Sequence, residues 1–214
     1  MRKLIAIAVL TSAALNAETL VDCVAAVVDR QPVTLGRIVI ENRLAAFQEG
    51  RPVDQSPEAR RRAAERLVER LLLLREIEIS GFSQAQRIEA LAALEELKKR
   101  WPGAVEYEAA LARYRINEEE LIEFLQTQLT VLRFLDVRFK AEGDVSDADI
   151  EKYYRETFAP KVKAETGAAP PPLNAVRREI EAILSAEAAN RAMNRWMDNA
   201  RVQARIEYRE AAFR

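Results

Sequence analysis

The sequence predicts a mainly α fold: a multi-helix domain with a small β-sheet formed by an N-terminal hairpin and a C-terminal strand. Three observations predict it. Apolar residues recur at steps of three and four through most of the 214 residues, the period of an amphipathic helix. Glycine occurs only six times and aromatics make up 7% of the chain, which disfavours a sandwich or barrel. Segments with strand character stand only near the two ends.

The first residues read as an export signal. Arg2 and Lys3 supply the positive start, and Leu4–Leu15 is an apolar stretch too short to span a bilayer, which takes about 20 residues. Leu15-Asn16-Ala17 suits a cleavage site, so residues 1–17 are expected to leave as a signal peptide and the mature chain to begin near Glu18. Val21–Val28 is valine-rich and apolar, as in a buried strand. Asp29-Arg30-Gln31-Pro32 breaks it, and Val33-Thr34 returns as a brief partner.

Thr34 is placed to cap a helix over Leu35–Gln48, with Ile38, Ile40, Leu44 and Phe47 inward and Gly50-Arg51-Pro52 as the stop. Ser56-Pro57-Glu58 combines a capping hydroxyl, a first-turn proline and an acid near the positive helix end. The helix it opens runs to Ser80 on Ala63, Leu67, Leu71, Leu74 and Ile77. Val68 and Leu72 widen this stripe, which implies contact on more than one side. Gly81-Phe82 ends it. Ser83 with Gln86 resembles a capping box for a helix on Leu91, Leu94 and Leu97 that stops at Trp101-Pro102-Gly103. A shorter helix spans Val105–Tyr114. Asn117 with Glu120 caps a long helix to Lys140, with Leu121, Leu125, Leu132, Leu135 and Phe139 on one side.

Gly143-Asp144-Val145 is a turn, and Ser146 with Asp149 caps a short helix carrying Ile150, Tyr153, Tyr154 and Phe158. Residues 159–172 then hold four prolines and a glycine and read as an exposed, proline-stiffened linker. Beyond it Val176, Ile180, Ile183, Ala189, Met193, Trp196 and Ala200 step along a long helix. Val202–Tyr208 alternates apolar and polar, as a half-solvated strand does. Lone strands leave backbone groups unpaired, so the C-terminal strand is expected to join the N-terminal hairpin.

Composition excludes several functions. Hydrophobic residues at 49% and charged residues at 31% rule out a chain disordered throughout. The 33 basic and 34 acidic residues are interspersed without a basic stripe, so no nucleic acid partner is expected. No later segment has the length of a membrane helix, so no stable membrane anchor is expected. There is no histidine, which removes the usual general base near neutral pH and the commonest metal ligand. The one cysteine, Cys23, can make neither an internal disulfide nor a thiolate zinc site. No phosphate-cradling glycine motif occurs. No catalytic residue, metal or cofactor is assigned.

What remains is a set of aromatic and methionine side chains with two readings, core or a cleft for apolar peptide: Phe47, Trp101, Tyr107, Tyr114, Tyr154, Phe158, Met193 and Trp196.

Several segments carry a family resemblance. Val24-Ala25-Ala26-Val27-Val28-Asp29 followed by Val33-Thr34 resembles the opening of SurA-like periplasmic chaperones and related parvulin-type isomerases. Leu121–Arg138, then Val145-Ser146-Asp147-Ala148-Asp149-Ile150-Glu151-Lys152-Tyr153-Tyr154, looks like the family's long helix and the helix after it. Val176–Ile180 through Trp196 to Ile206-Glu207-Tyr208 resembles the closing helix and strand. The resemblance implies one chaperone domain, its N-terminal part over 18–158 and its completing helix and strand over 173–208. The parvulin domain that relatives carry in between is replaced here by residues 159–172. It further implies a periplasmic, ATP-independent holding chaperone without isomerase activity. Its partners would be unfolded exported polypeptides, with outer-membrane β-barrel precursors the expected clients. The alternative is an envelope assembly module with one dedicated folded partner. Wide apolar stripes also leave open a homodimer, with or without exchange of helices between protomers.

Overall fold

The computed structural model describes residues 22–140 and 145–214. The expected signal peptide, Val21 of the expected first strand and the Gly143-Asp144 part of the expected turn lie outside the described residues. Strand β1 (Val24–Val28) and strand β2 (Gln31–Thr34) form the hairpin, and strand β3 (Ile206–Tyr208) adds on the far side of β1, giving the antiparallel order β2-β1-β3. Ala26 faces Val33 on one side and Tyr208 on the other. A bulge between Val24 and Ala26 breaks the strand alternation, and adjacent Ala25 and Ala26 are both buried. The hairpin and the C-terminal strand therefore meet, as the lone-strand argument requires. Asp29, at φ 56° in the hairpin turn, accepts the Arg205 backbone N–H on its carboxylate and donates its own N–H to the Arg205 carbonyl, locking the junction.

The helices follow the expected caps closely. Helix α1 (Leu35–Glu49) starts with Thr34 Oγ1 accepting the Arg37 N–H. Helix α2 (Pro57–Ile79) starts with Ser56 Oγ accepting from Ala59. Helices α3 (Arg87–Lys98) and α4 (Ala104–Tyr114) precede α5 (Glu118–Lys140), where Asn117 and Glu120 exchange reciprocal bonds at 2.8 Å. Helix α6 (Asp147–Tyr153) carries the Ser146–Asp149 capping box. The start of α3 differs from expectation: Glu89 bonds the Gln86 N–H, so the cap falls at Gln86 and not at Ser83. Ala85 is held flat against α5, so the helix cannot begin earlier.

Residues 159–172 also differ. A π-helical turn (Tyr154–Phe158) continues α6 directly into helix α7 (Ala159–Thr166), and only residues 167–172 are non-helical before α8 (Leu173–Gln203). Pro160 is tolerated because it stands in the first turn of α7, next to the wider π turn, where the Ala159 N–H reaches back to the Tyr154 carbonyl. Gly167, at φ 69°, ends the helix.

Two further expectations shift. Leu132 is 57% exposed, while Phe134 is buried against Leu73 and Ile77. Helix α5 packs on α3, α2 and α8, and the change of partner along its length rotates its buried face. Leu91 of α3, expected inward, is 39% exposed beside the buried Ala90 and Leu94. The last strand is shorter than its alternation suggests. Helix α8 runs to Gln203 because β1 offers partners only to Ile206–Tyr208, leaving Val202 helical and exposed. After it, a 3₁₀ turn (Glu210–Phe213) seats Phe213 in the sheet core, a contact no periodicity announced.

The apolar interior is divided. One cluster joins the sheet to α2 and Phe213, with Ala63 and Ala64 fully buried in it. A second joins α1, α3, α4 and α5 around Phe47, Leu94 and Leu121. A third sets Leu73 and Ile77 of α2 against Phe134 and Trp196. The fourth, Ile150 with Val176 and Ile180, holds α6 to the first half of α8, flanked by Tyr154 and Phe158.

Candidate functional site

A large concave feature lies between the hairpin turn, α1, α2 and α5. A cavity of 740 Å³ is lined by Val28, Asp29, Arg30 and Gln31 at the turn and by Leu71, Leu74, Arg75 and Glu78 of α2, among others. A second, of 400 Å³, is lined by Ile40, Glu41 and Leu44 of α1, Leu67 and Arg70 of α2, and Glu120, Glu123 and Phe124 of α5. Both include Arg37, Leu74 and Thr127, so they form one groove. The groove exists because the stripe of α2 is wider than its partners cover: Leu67 and Leu72 are buried, while Leu71 and Leu74 remain half-buried on its floor.

Ion pairs brace the walls. Arg70 donates through both Nη atoms to Glu41 at 2.6 Å, with Glu41 only 5% exposed and the guanidinium 5.2 Å from the Phe124 ring. Such a bidentate pair fixes geometry as well as charge. Arg75 pairs with Asp29 at 2.6 Å, tying α2 to the hairpin turn. The connection between α2 and α3 is bonded to α5 at both polar groups of Ala85: its N–H donates to Thr130 Oγ1 and its carbonyl accepts from Gln126 Nε2.

The electrostatics are those of a braced surface. Glu89 and Glu119 are held below the usual carboxylate range by the guanidiniums of Arg133 and Arg87, and Asp149 by hydrogen bonds from Ser146. Glu119 and Asp149 are exposed and Glu89 is half-buried, and all three stand at caps or ion pairs away from the groove. Among the described residues no group of three His, Cys, Asp or Glu side chains could hold a metal ion. No helix among them is long and apolar enough to cross a membrane. Cys23 is exposed and unbonded.

The eight aromatic and methionine candidates fall in three places, none of them in this groove. Phe47, Trp101, Tyr107 and Tyr114 converge: Phe47 stacks on Trp101 with centroids 4.9 Å apart and meets Tyr114 edge-on at 5.4 Å. Phe47, Trp101 and Tyr114 border a cavity of 440 Å³ with Gly50, Ala109 and Ala110. Phe47 and Tyr107 are nonetheless buried, so their main contacts are internal. Tyr154 and Phe158 stack at 6.1 Å beside α8, and the Tyr154 hydroxyl donates to the Pro171 carbonyl at 2.8 Å. Trp196 meets Phe139 edge-on at 6.3 Å, and Met193 is half-buried on α8. Leu71 and Leu74 were read from sequence only as part of the wide α2 stripe, whose excess width was their one signal, and no sequence signal marked Arg30, Arg37 or Glu123 as groove residues.

This fold, a helical domain closed by a three-stranded sheet that joins its N-terminal hairpin to its C-terminal strand, is similar to that of a solved SurA-like chaperone. That structure comes from work on the human pathogen Campylobacter jejuni, in which the virulence factor PEB4 and the periplasmic protein Cj1289 are two structurally related SurA-like chaperones. The two chains superpose with a TM-score of 0.54 at 12% sequence identity, over 88% of this chain and 99% of that one. No family model matches the sequence, and no curated protein does.

Proposed function

We propose that this protein is a periplasmic, ATP-independent holding chaperone that covers apolar segments of unfolded exported proteins, outer-membrane β-barrel precursors foremost, and has no isomerase activity. The observation that carries this reading is the SurA-like fold spanning 88% of the chain. The export-signal pattern of residues 1–17 supports the location. The family resemblance places an isomerase domain where this chain has only residues 159–172, and that short passage before α8, together with the absence of histidine, supports a binding role without catalysis.

Physically, a holdase needs open apolar surface that does not collapse on itself. The leucine floor of the groove and the cavity edged by half-buried Trp101 and Tyr114 both offer it. Release without nucleotide requires modest affinity, and a micromolar constant corresponds to about −8 kcal/mol. The test is light scattering from a denatured outer-membrane protein diluted into buffer with the purified chain. A several-fold excess of chain is expected to suppress aggregation. Unchanged scattering overturns the reading, and proline isomerisation above background overturns its non-catalytic part.

A further inference from the structure

The groove between α1, α2 and α5 has a charge order its apolar floor does not require. Two of its arginines are neutralised inside the fold, Arg70 by Glu41 and Arg75 by Asp29. Arg30 at the hairpin turn, and Arg37 where the two cavities join, make no ion pair among the described residues. On α5 at the other end stand Glu120, which uses one oxygen to cap its helix, and Glu123, which makes no ion pair. Glu78 is the single unpaired acid at the arginine end. The unbalanced charge therefore runs from positive at the hairpin to negative on α5, with Leu71 and Leu74 between. Neutral side chains, Gln31, Gln84 and Thr127, line the walls and can bond a peptide backbone.

We propose that this groove is an oriented seat for an extended, unfolded polypeptide segment of split charge. Its acidic end lies at Arg30 and Arg37, its basic end at Glu120 and Glu123, and its apolar side chains rest on the leucines between. The inference rests on the chaperone reading and deepens it, because it names where a client lies and which client segments are preferred. Complementary charge selects register and direction more than it adds affinity. An extended chain shows side chains alternately to either side, so every second residue can reach the floor while its neighbours reach the walls. The occupant is taken as unfolded because the concave floor and the amides beside it serve a single extended strand better than a folded surface.

The experiment uses fluorescent peptides of one composition, with leucines at the centre and either acids and lysines segregated to opposite ends or the same charges scrambled. A photo-crosslinker is placed at one end or the other. Anisotropy should show the segregated peptide binding about fivefold more tightly at low salt, the scale of a few exposed ion pairs, and the preference should fade as salt rises. Crosslinks from the acidic end should fall on residues 24–37 and those from the basic end on residues 117–130. The paired reversals Arg37→Glu and Glu123→Lys, checked for folding by circular dichroism, cancel the charge at each end and should abolish both the preference for the segregated peptide and the order of the crosslinks. Equal affinity of the unaltered chain for both peptides, or crosslinks to it that ignore the ends, overturns the proposal. Aggregation suppression is measured in parallel. If suppression persists while crosslinks fall elsewhere, the groove inference fails and the chaperone reading stands. If ordered crosslinks occur without suppression, the groove stands and the holdase reading fails.

Discussion

The Ala85 backbone N–H donates to Thr130 Oγ1 at 3.0 Å, across the 45 residues that separate the α2–α3 connection from the middle of α5. Both residues are buried, so water cannot replace the bond. Thr130 closes the chain of bonds by donating to the Gln126 carbonyl one turn earlier at 2.8 Å. The bond pins a non-helical segment next to Gln84 and Thr127 of the groove wall.

Replacing Thr130 by valine keeps the shape and removes the acceptor. An orphaned buried N–H costs about 1–3 kcal/mol, so Thr130→Val should lower the unfolding free energy by that amount, read as a lower urea midpoint with an unchanged slope. Thr130→Ser, which keeps the acceptor, should recover most of the loss. A valine variant as stable as the parent would show that Ala85 finds another partner.

The Arg70–Glu41 pair leads to a sharper contrast. Arg70→Ala leaves a carboxylate that is 5% exposed without its partner, and stranding a buried charge costs about 3–5 kcal/mol. Because Arg70 itself stays partly open to the groove, the lower end of that range is expected. The double replacement Glu41→Leu with Arg70→Met removes the charge and the need for it together. It should regain most of the loss in a double-mutant cycle followed by chemical unfolding. Additive losses in the cycle would argue that the two side chains act independently.

Helix starts were legible in the sequence because a cap is local: Thr34, Ser56, Asn117 and Ser146 each need only a residue three positions on to accept or donate. The sheet pairing was legible because three short strands have no other way to satisfy their backbone. Leu132, Val202 and residues 159–166 were misplaced for the opposite reason. Whether Leu132 is inside depends on which helix lies over that turn of α5, and whether Val202 is a strand depends on how far β1 extends. The groove was hidden in the same way. A wide stripe on α2 marks surplus apolar surface, but only the packed neighbours decide that Leu71 and Leu74 are the part left open.

Phe47 separates the two readings an aromatic side chain carries. It was a candidate for binding apolar peptide, yet it is 1% exposed and stands at the centre of contacts with Trp101, Tyr107 and Tyr114. Phe47→Ala should cost about 3–5 kcal/mol, the usual loss for emptying a buried aromatic site. Trp101, on the rim of the same cavity, is half-buried, and Trp101→Ala should cost less stability and more client affinity. Urea unfolding and peptide anisotropy on the two variants check this. Equal stability losses would remove the distinction between wall and floor.

Tyr107 supplies a pH test. Its hydroxyl is buried without a hydrogen bond, near the Glu118 carboxylate, and the Lys98 ammonium lies 5.1 Å from its ring centroid. Burial first, and the adjacent Glu118 carboxylate after it, push its ionisation well above the ordinary tyrosine value of 10.0. In the folded state the phenol stays protonated where the unfolded chain has begun to ionise. Its contribution to stability is therefore complete below pH 10.0 and is lost as pH rises from there through the folded value. Tyr208, raised mainly by burial, adds to the same alkaline limb. Tyr107→Phe removes both the unmatched hydroxyl and its titration. At pH 7 the variant should be as stable as the parent or more stable by about 1 kcal/mol, because no bond is lost and a desolvated polar group is removed. Above pH 10 its unfolding free energy should fall less steeply than the parent's, with the remaining slope reduced further in a Tyr107→Phe, Tyr208→Phe double variant. Urea titrations at a series of pH values measure both effects. A phenylalanine variant that is less stable at pH 7 and keeps the parent's alkaline slope would place the hydroxyl in a bond and return Tyr107 to the polar framework of α4 and α5.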